Sequence, residues 1–214
     1  MDLLHYIPDH WDTLEPEVIT QLELPLLAVA MAAVVGLAMG IWGSRSPRAD
    51  AVFTAFNSSL LTVPSYALFA LIAIATGTGN WPVVIGLVLY ALLPVQRNTT
   101  AGIQAVRAEV VEAAQGMGMT ARQVLTRVQL PLAVPVILAG VRQATASLVA
   151  IATVGAALNS DNLGRPILET LRSGNSTELI SVIILIVGIG LVIDALLALV
   201  QRALSRGRIT SVNA

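Results

Sequence analysis

Cysteine is absent from all 214 residues, so the chain has no disulfide framework and no thiolate to act as nucleophile or metal ligand. Lysine is absent too, and every basic residue is an arginine. Charge of either sign is scarce, at 12% of residues with a net charge of −1, and no nucleic-acid partner is expected. Both histidines, His5 and His10, lie near the N-terminus outside any long apolar run, and neither HExxH nor GxSxG occurs. An intramembrane hydrolase would need such groups, so an enzyme is not expected. Nothing resembles a Walker A loop either, so ATP is not bound here by that means. What the chain has is hydrocarbon: 56% of residues are hydrophobic, and the mean hydropathy of +0.79 lies far outside the range of soluble domains. The expected class is an all-α integral membrane protein.

About 20 apolar helical residues at 1.5 Å rise cross the roughly 30 Å hydrocarbon core, so uncharged runs mark the spans. Leu24 to Ser44 forms the first. Ala51 to Gln96 is uncharged but too long for one helix, and the breaker cluster Thr76-Gly77-Thr78-Gly79-Asn80, followed by Pro82, divides it into spans two and three. Pro131 to Leu158, with Arg142 as its one charge, and Leu179 to Gln201, with Asp194, make spans four and five. Five transmembrane helices are thus expected, with the two chain ends on opposite sides.

Arginine placement orients the spans. Arg45, Arg48, Arg97, Arg107, Arg122, Arg127, Arg202, Arg206 and Arg208 fall on one side, expected to be the cytoplasm, and only Arg165 and Arg172 on the other. The N-terminus is therefore expected outside and the C-terminus inside. The first residues carry acids but no basic n-region, so the first span is expected to be an uncleaved anchor. The expected divisions are an extracytoplasmic tail at 1–23, a transmembrane domain at 24–202 with a cytoplasmic loop at about 97–130, and a cytoplasmic tail at 203–214.

Within that loop, EAAQGMGMTARQVLTRVQLP, Glu112 to Pro131, is a polar island. Its alternation of charged and apolar residues suits short amphipathic helices broken around Gly116 and Gly118. Alanines admit a close backbone, glycine a tight turn, and Met117 and Met119 an adaptable contact. From composition alone it is a solvated loop resting on the bilayer. Its spacing says more. Glu112, Ala113, Ala114, Gly118, Val128, Leu130 and Pro131 follow EAA-x3-G-x9-V-x-LP, which resembles the signature loop of type I (MetI-like) binding-protein-dependent ABC importer permeases. Val128 stands where isoleucine is commonest.

The resemblance runs from about residue 20 to the C-terminus and implies a cytoplasmic coupling helix that fits a cleft on an ATP-hydrolysing subunit. Glu112, Ala113, Ala114, Gly116, Gly118, Leu130 and Pro131 are its implied coupling residues. It further implies a dimer of ATP-binding subunits, a second homologous permease, a substrate-binding protein outside, the plasma membrane of a prokaryote, and no cofactor on this chain. LTVPSYALFAL, YALLPVQRNTTAGI, GMGMTARQ and LPLAVPVILAGVRQA are similar to phrases of the osmoprotectant group, importers of glycine betaine, choline and carnitine. Some relatives fuse the binding domain at the C-terminus; with Ala214 as the last residue, no such fusion is expected here. One departure stands out: LNSDNLG, Leu158 to Gly164, keeps only the final Leu-Gly of the glycine-rich stretch the family would place there, leaving the outer loop's geometry open.

Pro64, beside Thr62 and Ser65, interrupts span two, either as a packing kink or as a lining of the pathway. Arg142 and Asp194 must face protein or water, because an unpaired charge near mid-bilayer costs about 2.5–3.5 kcal/mol. A structural ion pair or a water-filled vestibule explains them more simply than a solute ligand. Pro64, Ser65, Arg142 and Asp194 are the candidates for the translocation pathway. An ABC permease for another solute, such as an amino acid, is the nearest alternative, and an ATP-independent carrier or channel a more distant one.

Overall fold

A computed structural model describes residues 3–209, with side chains described from Tyr6 to Ala203. Met1 and Ala214, whose sides of the membrane the arginine pattern predicts, lie outside the described residues. The described residues form helices joined by short turns: α1 (Leu3–Asp9), α2 (Trp11–Arg45), α3 (Pro47–Thr62), α4 (Ser65–Thr76), α5 (Asn80–Gln104), α6 (Ala108–Gly116), α7 (Ala121–Val124), α8 (Leu130–Ala152), α9 (Gly164–Ser173) and α10 (Ser176–Ile209). A π-helical turn, Leu125–Gln129, joins α7 to α8, and a 3-10 turn, Thr153–Leu158, extends α8.

Four helical runs are long and apolar enough to cross a membrane: α2, α5, the run Ala121–Leu158, and α10. The expected second span takes a different form. In place of one kinked helix, α3 and α4 meet at 99°, so the pair is either a broken fifth span or a re-entrant element. The cause is Pro64, which has no N–H to donate and drives the preceding residue out of the α region. Val63 accordingly sits at φ −75°, ψ 130°. The freed carbonyls are satisfied locally and from afar: Thr62 Oγ1 donates to Ser59 O at 2.7 Å, and Tyr90 Oη on α5 donates to Val63 O at 2.6 Å.

The first helix also exceeds its expected bounds. α2 begins at Trp11 rather than Leu24 and, at 35 residues, is roughly 52 Å long, well beyond the hydrocarbon core. Most of the expected N-terminal tail is thus helical. α1 folds onto α10, where the Tyr6 hydroxyl donates to Glu178; burial, aided by that carboxylate, pushes the phenol pKa up.

α5 is the central element, packed against α2 and α8. Lipid provides little hydrophobic drive between helices, so close backbone approach has to supply the contact. A Cβ added at Gly40 of α2 would lie 2.4 Å from Thr99 Cβ and 2.8 Å from Gln96 O on α5. Around this seam lies the main core, including Ala28, Ala32, Phe69, Leu87, Val95 and Leu148.

The loop from Leu158 to Gly164 departs from the expected glycine-rich pattern but is well tied. Asn162 is fully buried; its Nδ2 donates to Ala152 O at 2.9 Å and its Oδ1 accepts from Gly164 N at 2.8 Å. Ser160 Oγ donates to Asn80 Oδ1 at 2.7 Å. The retained Gly164 has a steric reason, since a Cβ there would fall 1.9 Å from Thr153 O.

Candidate coupling element and intramembrane polar groups

Past the bilayer-length part of α5, the chain turns at Ala105 and enters α6, whose sequence is AEVVEAAQG. α6 packs chiefly against α7 and the π turn, so it stands off the helical bundle. Ala114 is its buried residue, at 2% exposure, and turns toward those neighbours. Glu112 and Ala113 are exposed, as are the apolar side chains of Val110 and Met117.

The end of α6 explains the glycine of the signature. Gly118 N donates to Gln115 O at 2.9 Å, and Met119 N donates to Ala114 O at 3.2 Å, the paired reverse bonds that close a helix when the residue after the C-cap is left-handed. Gly118 has φ +83°, a region in which any side chain strains the backbone. A Cβ at Gly118 would meet nothing within 4 Å, so the chain itself demands glycine through its backbone alone. Gly116 is helical and equally open.

α7 starts with a capping box. Thr120 N donates to Gln123 Oε1 at 2.8 Å, and Gln123 N donates to Thr120 Oγ1 at 3.4 Å. The helix then widens into the π turn, where Leu130 N–H reaches Leu125 O, five residues back. Pro131 accounts for the site of this widening: lacking an N–H, it cannot continue the i→i−4 ladder into the preceding turn. Leu125 and Leu130 pack with Ile103, Ala133 and Ile137, and with Leu37 and Ile41 of α2. Thus Leu130 and Leu125 fix the polar island to α2, α5 and α8 at once. Of the signature positions, Ala114, Gly118, Leu130 and Pro131 have reasons inside this chain. Glu112 and Ala113 have none, and face outward.

The intramembrane charges meet each other. Arg142 Nε donates to Asp194 Oδ1 at 2.5 Å and Nη2 to Oδ2 at 2.7 Å, a two-pronged pair joining α8 to α10. Such a pair removes most of the insertion cost of two separate charges. Pro64 and Ser65 belong to the α3–α4 break, which packs on α5, so the four pathway candidates fall into two separate places.

Two polar features escaped the sequence reading. One is a network inside α2, α3 and α5: Gln96, fully buried, donates to Asp50 Oδ1 at 2.9 Å and Thr54 Oγ1 at 3.2 Å and accepts from Asn57 Nδ2 at 3.2 Å, while Thr100 donates to Asp50 Oδ1 at 3.1 Å. The other is a cavity of about 350 Å³ between α5 and α8, into whose lining Tyr90, Arg97, Asn98, Gln143 and Ser147 enter. Their helical spacing, seven and eight residues apart on α5 and four apart on α8, was the available signal. Among the described residues, no group of three His, Cys, Asp or Glu side chains could hold a metal ion.

The family model described as "Binding-protein-dependent transport system inner membrane component" matches residues 17–209. The chain is 36% identical over 148 residues to the glycine betaine/proline betaine transport system permease protein ProW of Salmonella typhimurium, covering 69% of this chain and 42% of that one. It therefore spans less than half the length of that relative. It is also 36% identical over 180 residues to the choline transport system permease protein OpuBD of Bacillus subtilis, covering 83% and 79% of the two chains. Among solved structures, an inward-facing form of the MetNI methionine ABC transporter superposes with a TM-score of 0.80 at 21% identity, covering 92% of this chain and 98% of that one. At that identity the likeness speaks for the fold.

Proposed function

Since the chain belongs to the family of binding-protein-dependent transport system inner membrane components, we propose that it is the permease subunit of an ATP-driven importer for osmoprotectants such as glycine betaine, choline or carnitine. The observation that carries this is the α6–Gly118 element: it stands off the bundle, turns at a left-handed glycine, and presents Glu112, Ala113, Val110 and Met117 outward with no partner among the described residues to explain them. A cleft on an ATPase subunit supplies that partner. The solute class is supported by the names of relatives about one third identical.

In this reading ATP is hydrolysed on a separate subunit pair and this chain holds no cofactor. Closure of the ATPase pair moves the coupling helices, and two permease halves rock between inward and outward openings. The second half is a homologous permease, with a self-paired dimer as the lesser alternative. A binding protein outside delivers the solute. The N-terminus lies outside and the C-terminus in the cytoplasm, following the arginine bias. α6 then faces the cytoplasm.

The test is purification of the membrane complex with its subunits, followed by uptake of labelled glycine betaine, choline and carnitine into proteoliposomes with and without ATP. Uptake that needs ATP and a co-purifying ATPase supports the proposal. Uptake by this chain alone without ATP would turn it into a carrier. ATP-driven uptake restricted to an amino acid would keep the permease role and overturn the solute class.

A further inference from the structure

The cavity between α5 and α8 has a chemical character of its own. Tyr90, Arg97 and Asn98 share one face of α5, Gln143 and Ser147 one face of α8, and Leu61 of α3 closes a side. The two helices approach closely at Gly140, where a Cβ would come 2.7 Å from Pro94 O, and the cavity flanks that contact. Tyr90 and Asn98 already donate to Val63 O and Pro94 O. Among the described residues, the side chains of Arg97, Gln143 and Ser147 have no partner in the chain.

The lining holds one cation and no acid. Asp50 lines a neighbouring cavity also bordered by Arg97; its carboxylate is engaged by Gln96 and Thr100, and among the described residues it forms no ion pair with Arg97. A bare cation entering between α5 and α8 would meet an uncompensated guanidinium. A zwitterion would not: its carboxylate can pair with Arg97, while its methylated ammonium rests against the Tyr90 ring and the aliphatic wall.

We propose that this cavity is a subsite of the translocation pathway for carboxylate-bearing zwitterions, with Arg97 taking the carboxylate and Gln143 and Ser147 offering neutral hydrogen bonds. It rests on the reading of the chain as an importer subunit and narrows its solutes to betaines over choline. Arg97 lies toward the end of α5 that leads into α6, so the carboxylate would be held near the mouth on the coupling side.

The cysteine-free sequence makes the test direct: Ile151→Cys, on the cavity lining but outside the proposed solute-binding groups, places the one thiol of this chain there, and labelling is read on this chain. In the detergent-solubilised complex, the rates at which an anionic and a cationic methanethiosulfonate modify that thiol are compared in the Arg97, Arg97→Gln and Arg97→Lys backgrounds. The anionic-to-cationic ratio is expected to fall on the order of tenfold in Arg97→Gln and to recover in Arg97→Lys, as a nearby unit charge in a partly hydrated cleft produces. Glycine betaine should slow labelling several-fold in the Arg97 background, and choline should barely slow it. A ratio unchanged by Arg97→Gln overturns the inference, as does labelling untouched by glycine betaine in a complex that imports it. Uptake separates the two readings: a complex that imports no osmoprotectant yet keeps the Arg97-dependent ratio defeats the proposed solutes and leaves the carboxylate-selective cavity standing.

Discussion

Replacing Gly118 tests the coupling element at the residue where intrachain and interchain demands separate. Within the chain only the backbone objects, since φ is +83° and a Cβ meets nothing within 4 Å. The left-handed conformation costs an ordinary residue about 1–2 kcal/mol, and asparagine less. If the turn lies against an ATPase cleft, a side chain forced into that contact adds about 1–3 kcal/mol. Gly118→Ala carries mainly the backbone strain, Gly118→Asn mainly the added volume, and Gly118→Asp both. The summed effect for Gly118→Asp, about 2–5 kcal/mol, corresponds to a loss of ATPase association of about thirtyfold to several thousandfold. Insertion should be spared in all three, because the site contributes to no span. The assay is co-purification of the ATPase and solute-stimulated ATP hydrolysis at matched membrane levels. Uncoupling by Gly118→Asn close to that of Gly118→Asp places the volume in a cleft; normal coupling and uptake in Gly118→Asp would refute the docking argument, leaving α6 a solvated helix.

Neutralising one member of the Arg142–Asp194 pair, by Asp194→Asn or Arg142→Gln, strands the other charge and should lower the amount of folded protein in the membrane, while the double substitution restores much of it; quantitative immunoblots of membranes check this, and single variants at full level would refute the pairing role. Tyr90→Phe removes the donor to Val63 O, an expected loss of about 1–3 kcal/mol, read as a fall of roughly 2–4 °C in melting temperature per kcal/mol in the purified complex; an unchanged melting curve would mean that another group satisfies the break. Reporter fusions near the two termini should report opposite sides of the membrane, the N-terminal one outside. Both on one side would mean that α3–α4 is a re-entrant pair rather than a broken span.

The spans were legible where hydropathy alone decides. α8 with its 3-10 extension covers Leu130 to Leu158, and the glycine cluster at 76–80 ends α4 and precedes α5, close to the expected bounds. Helix ends were less so: α2 starts 13 residues before the apolar run, at Trp11 rather than Leu24, where Leu14 packs with Leu163, Val182 and Ile186 and Gln21 donates to Val149 O at 2.6 Å, partners the local sequence does not name. Pro64 announced a break but not its angle, since a right-angle turn needs a distant donor for Val63 O, and Tyr90 lies 27 residues away. The Arg142–Asp194 pair was half legible: the cost of lone charges required a partner or water, and 52 residues of separation concealed which. The cavity was missed because its residues look unremarkable one at a time and become a site only when α5 and α8 face each other.

The signature loop divides into a transmitter and a contact. Leu125 and Leu130 lock the turn after α7 to Leu37 and Ile41 of α2 and to Ile103 of α5, so a displacement of that turn must move three long helices together rather than dissipate in a loop. A close-packed interior passes such a displacement on because it deforms little. α6 is joined to this anchor through Ala114 and the Gly118 turn, while its outer face stays uncommitted. α5 also carries the buried Gln96 network and the Arg97 cavity wall, and so continues from the anchor toward the proposed solute site. On the proposed function, one rigid connection therefore runs from the surface that meets an ATPase to the side chains that meet a carboxylate. A variant that loosens the anchor without touching either end, such as Leu130→Ala, should let ATPase subunits bind and hydrolyse ATP while uptake falls. A parallel loss of binding and uptake would instead mean that the anchor only holds α6 in place.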